Sequence, residues 1–218
     1  MPPSAGSKCR RTRHNMRTLL VATTNPGKLR EIRALMANAP VQLIGLSDLP
    51  PIEEPEETGA TFEENARLKA RYYAARSGLW TVAEDSGLVI DALGGEPGVR
   101  SARFLRPDAS YSERFREIFR RLDARSDRPR TARFVAALAS VDDGDVIYET
   151  TGVVEGEIAA APRGSGGFGY DPIFLYPPYG RTLAEVSEAE KIAVAHRGVA
   201  FRKFAQWLAL SERSESKG

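Results

Sequence analysis

From residue 17 to residue 210 the chain alternates short runs of strand-forming residues with segments whose apolar side chains recur every three or four positions. Elements that take turns in this way pack as layers, helices against a sheet, so the alternation predicts an α/β architecture. Residues 18–23 and 41–46 read as strands, and Leu29, Ile32, Leu35 and Met36 between them recur at helical spacing. Thr61 followed by Glu64 has the spacing of a capping box, which opens a helix running to about residue 76. Residues 80–83 and 88–93 read as a strand interrupted by a break, 112–122 as a helix, and 134–141 and 146–158 as further strands. A last helix over about 197–210 places Phe201, Phe204, Ala205 and Leu208 on one face.

Composition sets the outer limits. A chain of 218 residues suits one large domain or two small lobes and buries a core without disulfide or metal staples. Its one cysteine, Cys9, has no internal partner, which is the usage of a reducing compartment. No apolar stretch follows the basic N-terminus as a secretory signal requires, so the expected location is cytoplasmic. The longest apolar run, residues 134–141, falls far short of the ~18 residues of a membrane helix, and no membrane partner is expected. Lys8, Arg10, Arg11 and Arg13 lie in a stretch with no acid; without them 27 bases face 29 acids. The remainder lacks the basic excess of a duplex-binding domain, so no nucleic-acid partner is expected. Three parts follow: a disordered basic extension over residues 1–16, a domain over 17–210 and a polar tail over 211–218.

Five segments carry chemistry. Thr23, Thr24, Asn25, Pro26, Gly27 and Lys28 form a turn joining the first strand to the first helix. Free N–H groups at a helix start, with a lysine beside them, attract phosphate, although an ordinary strand-to-helix turn has the same composition. It is not a Walker A loop, because position 22 is alanine where that pattern needs glycine. Lysine is scarce beside arginine in this chain, so Lys28 is not the default cation. Glu84 and Asp85 are either oxygen ligands for a hard cation or the solvated acids of an Asp85-Ser86-Gly87 turn. The acidic run over 53–57 is mostly a solvated face, of which a metal site needs one or two members. The glycine-rich stretch over 163–171 either lets a ligand approach closely or is a mobile surface loop. Phe168 and Tyr170 in it offer faces for a planar base, and Asp171 a carboxylate. Lys191 and the pair His196-Arg197 supply donors for a carbonyl oxygen or a phosphate.

In order and approximate spacing, five pieces resemble the inosine triphosphate pyrophosphatase-like family, the XTP/dITP diphosphatases that clear non-standard purine nucleotides. They are residues 23–28, Thr61-Phe62-Glu63-Glu64-Asn65-Ala66, Glu84-Asp85-Ser86-Gly87-Leu88, Gly166-Gly167-Phe168-Gly169-Tyr170-Asp171-Pro172 and His196-Arg197-Gly198. The resemblance covers about residues 17–210. It implies a two-lobed α/β fold, a long mixed β-sheet flanked by helices with the cleft between lobes, usually as a homodimer. It implies that residues 23–28 hold the triphosphate of a purine nucleotide and that Glu57 and Asp85 bind Mg²⁺. Asp85 is also the implied proton acceptor for the attacking water, and Ser86 an implied substrate contact. Phe168, Gly169, Tyr170 and Asp171 are implied to form the base pocket, with Phe168 stacking. Lys191 is implied to reach phosphate or base, and His196 and Arg197 to read the purine 6-oxo edge. The implied reaction is Mg²⁺-dependent hydrolysis of ITP, dITP and XTP to the monophosphate and pyrophosphate.

Two positions depart from that pattern. Glu84 stands where many relatives have Asp, which changes its expected reach to the metal, and Arg100 stands where an aromatic is common. A pyrophosphatase for modified pyrimidine nucleotides and a non-catalytic nucleotide- or RNA-binding protein are the alternative readings.

Overall fold

The computed structural model describes residues 16–215, with side chains described as far as Ser211. The expected basic extension, apart from Met16, and residues 216–218 of the expected tail lie outside the described residues. The chain runs β1 (Arg17–Val21), α1 (Pro26–Leu35), β2 (Val41–Gly45), α2 (Phe62–Ser77), β3 (Thr81–Ile90), α3 (Tyr111–Asp123), β4 (Thr131–Asp142) and β5 (Asp145–Ile158). Then come β6 (Phe174–Tyr176), β7 (Arg181–Thr182), α4 (Glu188–Val194) and α5 (His196–Glu215). The strands form one mixed sheet in the order β2-β1-β3-β4-β5-β6-β7. β1 is parallel to β2 and β3, and every later pairing is antiparallel.

Three local expectations need correction. The break expected between residues 83 and 88 does not exist: β3 pairs with β4 at every residue from Thr81 to Ile90. Successive strand residues point to opposite faces, so Glu84 and Asp85 diverge, and cations wait on both sides. Acids that suggested a turn are buried mid-strand because each is paired. Second, α1 begins at Pro26, so Pro26, Gly27 and Lys28 are its first turn rather than a loop. Proline at that position has its φ preset and gives up an N–H that would lack a partner anyway. Third, the capping box before α2 is only half formed. Thr61 Oγ1 accepts from Glu64 N–H at 3.1 Å, but Glu64 Oε2 accepts from Ala60 N–H at 2.7 Å. The short elements β6, β7 and α4 were not foreseen, and α5 runs past residue 210 to Glu215.

The near half of the sheet is covered on both faces. Ile32 and Met36 of α1 and Phe201, Phe204 and Leu208 of α5 pack with Leu19, Val82 and Leu138. Phe62, Ala66, Ala70 and Tyr73 of α2 pack with Leu20, Ala83 and Ala137. In the far half Phe115, Ile118 and Leu122 of α3 close over Leu88, Phe134, Val154 and Phe174. The long strands β3, β4 and β5 therefore run through two lobes, as the family resemblance implies. Within β3, β1 pairs with Thr81 and Val82, the start of that strand, and the chain then leaves the sheet while β3 continues. The notch at the carboxyl end of β1 is where open α/β sheets characteristically bind ligands. Among the described residues no helix is long and apolar enough to cross a membrane.

Candidate active site

Residues from both lobes line one open cleft of about 580 Å³. Asn25, Lys28 and Ser86 form its near side; Phe168, Gly169, Tyr170 and Asp171 its far side; Lys191, His196 and Arg197 its floor and wall, with Tyr111 and Phe134 beside them. Asn25 caps α1 by accepting from Gly27 N–H at 2.9 Å and Lys28 N–H at 3.1 Å, while its own N–H donates to Thr23 Oγ1 at 3.2 Å. The N–H groups expected to face phosphate are thus held by Asn25 Oδ1. Thr24, Pro26 and Gly27 flank the cleft without lining it.

A buried ion network backs the cleft. Arg197 donates through Nε to Glu84 Oε2 at 2.8 Å, through Nη2 to Glu84 Oε1 at 2.7 Å and through Nη1 to Glu31 Oε2 at 2.5 Å. Lys28 Nζ lies 3.1 Å from both Glu84 Oε1 and Ser86 Oγ, and Ser86 Oγ donates to Glu84 at 3.1 Å. Glu84 is therefore not a metal-side acid with a longer reach; it belongs to the Arg197 face. Burial alone would raise its pKa, but Arg197 and then Lys28 hold it well below the usual carboxylate range. Lys28 is the open end of this network, with 20% of its side chain exposed against 2% for Arg197. Burial lowers the Lys28 pKa, against the pull of Glu84.

On the base side, Lys191 Nζ is held by Asp171 Oδ2 at 2.7 Å and Glu31 Oε1 at 2.8 Å, and stands 4.3 Å from the centre of the Phe168 ring. Asp171 Oδ2 also accepts from Phe168 N–H at 2.8 Å. Gly167 makes this possible: its φ is +68°, and a β-carbon there would fall 2.1 Å from Asp171 Oδ2. Burial raises the Asp171 pKa and Lys191 opposes it. His196 stacks on Phe134 at 4.9 Å, and its buried Nδ1 has no hydrogen-bond partner among the described residues. Burial, reinforced by the charge of Arg197, pushes its pKa well below 6.5, so the imidazole is neutral.

Asp85 points to the other face of β3. Its Oδ1 accepts from Lys69 Nζ at 3.0 Å and its Oδ2 from Asn65 Nδ2 at 3.2 Å. Glu57 Oε1 accepts from the same Lys69 ammonium at 2.9 Å, so the two expected metal ligands converge on one cation. Arg103 holds the other Glu57 oxygen at 2.9 Å. Burial would raise the Glu57 pKa, but Lys69 and Arg103 outweigh it. Burial keeps the Asp85 pKa raised even though Lys69 opposes it, and the charge of Lys28 reaches it from the cleft side. Two convergent carboxylates fit Mg²⁺, which takes oxygen ligands, commonly one or two carboxylates with waters and substrate phosphates. Among the described residues no cluster of three or more metal-ligating side chains exists.

Three charged residues at the site escape the motif reading: Glu31, Lys69 and Arg103. Lysine scarcity marks Lys69 as clearly as Lys28, and Glu31 lies one helical turn beyond Lys28. Arg103 carries no such local signal.

The Ham1 family model matches residues 19–207. The dITP/XTP pyrophosphatase of Gloeobacter violaceus is 48% identical over 188 residues, covering 86% of this chain and 92% of the relative. That of Geobacillus kaustophilus is 44% identical, covering 88% and 95%. A HAM1 protein from Coxiella burnetii has a similar structure, with TM-score 0.81, 40% identity and coverage of 89% and 99%. The Ham1 protein of Staphylococcus aureus gives 0.80, 34%, 89% and 100%. Motif order, fold and these likenesses agree, and the chain belongs to the Ham1 family.

Proposed function

We propose that the protein hydrolyses the non-standard purine nucleotides ITP, dITP and XTP to the monophosphate and pyrophosphate, with Mg²⁺. The observation that carries this reading is the placement around one strand: a cation-lined cleft beside Ser86, and behind it Asp85 paired with Glu57 on Lys69. The names of the relatives, dITP/XTP pyrophosphatase, support the substrate class.

Glu57 and Asp85 would hold Mg²⁺, which neutralises phosphate charge when bound. Lys28, at the open end of the network, binds phosphate, and Asn25 and Ser86 orient it. Asp85 carries the proton of the attacking water. Phe168 stacks on the base, held by Lys191 beneath it. His196, being neutral, offers one N–H to the 6-oxo edge, and Arg197 contributes through Nη1, which donates only to Glu31 among the protein contacts described. Adenine would set its own donor against these donors, and such mismatches discriminate by factors of ~10⁴. The proposal includes a homodimer, which rests on the family resemblance, and a cytoplasmic location, which rests on the single cysteine of the chain.

The test is Asp85→Asn. It should remain folded by circular dichroism and lose nearly all pyrophosphate release; full activity would remove Asp85 from the mechanism.

A further inference from the structure

The 3-10 turn Gly98–Arg103, after β3, touches both sides of the site. The Ser101 carbonyl accepts from Tyr170 Oη at 2.8 Å and from Arg114 Nη1 at 3.3 Å. Its Oγ accepts from Leu88 N–H at 2.9 Å and donates to the Gly98 carbonyl at 2.6 Å. A β-carbon at Gly87 would meet that carbonyl at 2.5 Å, so strand and turn are in direct contact. The turn is a fixed platform, anchored to β3 and to the base side of the cleft.

From this platform Arg103 reaches across to the segment before α2, which has no regular secondary structure over residues 51–59. Nη1 donates to Glu57 Oε2 at 2.9 Å and Nη2 to the Glu57 carbonyl at 3.1 Å. One guanidinium therefore fixes the side chain and the backbone of the same residue, which an ammonium cannot match with a planar fork. Lys69 takes only the remaining oxygen.

We infer that Arg103 is a positioning residue for Glu57: it sets that carboxylate opposite Asp85 and so maintains the affinity of the pair for a divalent cation. The inference rests on Glu57 and Asp85 being the Mg²⁺ site proposed above. Position and charge act with opposite sign here. A guanidinium near the site repels a divalent ion, so if Arg103 acted by charge alone, removing it would tighten binding. If it acts by position, removal loosens binding by the ~10-fold typical of groups that orient a metal ligand.

The test measures Mn²⁺ binding to the substrate-free full chain by electron paramagnetic resonance, for wild type, Glu57→Gln, Arg103→Ala and Arg103→Lys. Arg103 is 38% exposed, and circular dichroism checks that each variant is folded. Glu57→Gln and Arg103→Ala should both weaken binding, the latter about 10-fold, and Arg103→Lys should recover part of it. In turnover, Arg103→Ala should raise the Mg²⁺ concentration for half-maximal rate while kcat at saturating Mg²⁺ stays near wild type. If Glu57→Gln weakens Mn²⁺ binding but Arg103→Ala binds as tightly as wild type or tighter, the role of Arg103 is overturned and the metal site stands. If Glu57→Gln leaves Mn²⁺ binding unchanged, the metal site itself is overturned, and the inference with it.

Discussion

Arg197 and Glu84 meet as a two-pronged pair, Nε to Oε2 at 2.8 Å and Nη2 to Oε1 at 2.7 Å, each side chain 2% exposed. The pair joins the start of α5 to the middle of β3, and Glu31 ties both to α1. The cleft is thus walled by elements far apart in sequence and held in register by charge.

Such a pair is expensive to break from one side, because the surviving charge stays buried. Glu84→Gln should lower stability by about 3 to 5 kcal/mol. Urea unfolding at pH 7 checks this; a loss below about 1 kcal/mol, the size of a surface pair, would mean the network contributes little.

The neutral His196 has a pH consequence. Unfolded, it takes a proton below about pH 6.5; folded, its depressed pKa refuses it. The unfolded state therefore binds more protons as pH falls below about 6.5, and stability drops by up to ~1.4 kcal/mol per pH unit from this group. His196→Phe, which keeps the stack on Phe134, should lose that component. Unfolding midpoints between pH 5 and pH 7 for both proteins give the comparison, and equal slopes would contradict a buried neutral imidazole.

Among the described residues Lys69 is the one cation paired with both Glu57 and Asp85. Lys69→Met removes it and leaves the half-buried Glu57 facing the buried Asp85, so kcat should fall by about 10²-fold, as when a preorganised donor is lost from a reacting site. Steady-state kinetics on XTP measures this; unchanged kcat would assign Lys69 to structure alone.

Phe168 lines the cleft with cations near its ring, Lys191 at 4.3 Å and Arg197 at 5.4 Å. If it stacks on the base, Phe168→Ala loses about 1 to 3 kcal/mol of binding, seen as a higher KM with little change in kcat. A variant with unchanged KM would place the base elsewhere.

Much of this was legible because it is local. Strand runs, helical spacing and the polar motifs named the elements and most cleft residues, for composition and short spacing record what neighbours in sequence do. Glu84-Asp85-Ser86-Gly87 misled as a turn because the cations that bury it, Arg197, Lys28 and Lys69, come from three other elements. Arg103 and Glu31 escaped for the same reason: their roles are set by partners across the fold, Glu57 for one, Lys191 and Arg197 for the other. The start of α1 was placed late because Pro26 and Gly27 signal a turn in isolation, whereas the Asn25 cap makes them a first helical turn.

The central claim is hydrolysis of the non-standard purine triphosphates ITP and XTP in preference to standard nucleotides, and pyrophosphate release from ITP, XTP, GTP, ATP and dUTP, each with Mg²⁺ and with EDTA, tests it most directly. Strong Mg²⁺-dependent release is expected from ITP and XTP, little from ATP, GTP or dUTP, and none with EDTA. Equal release from every base would contradict the reading of His196 and Arg197, and no release from any would contradict the enzyme itself.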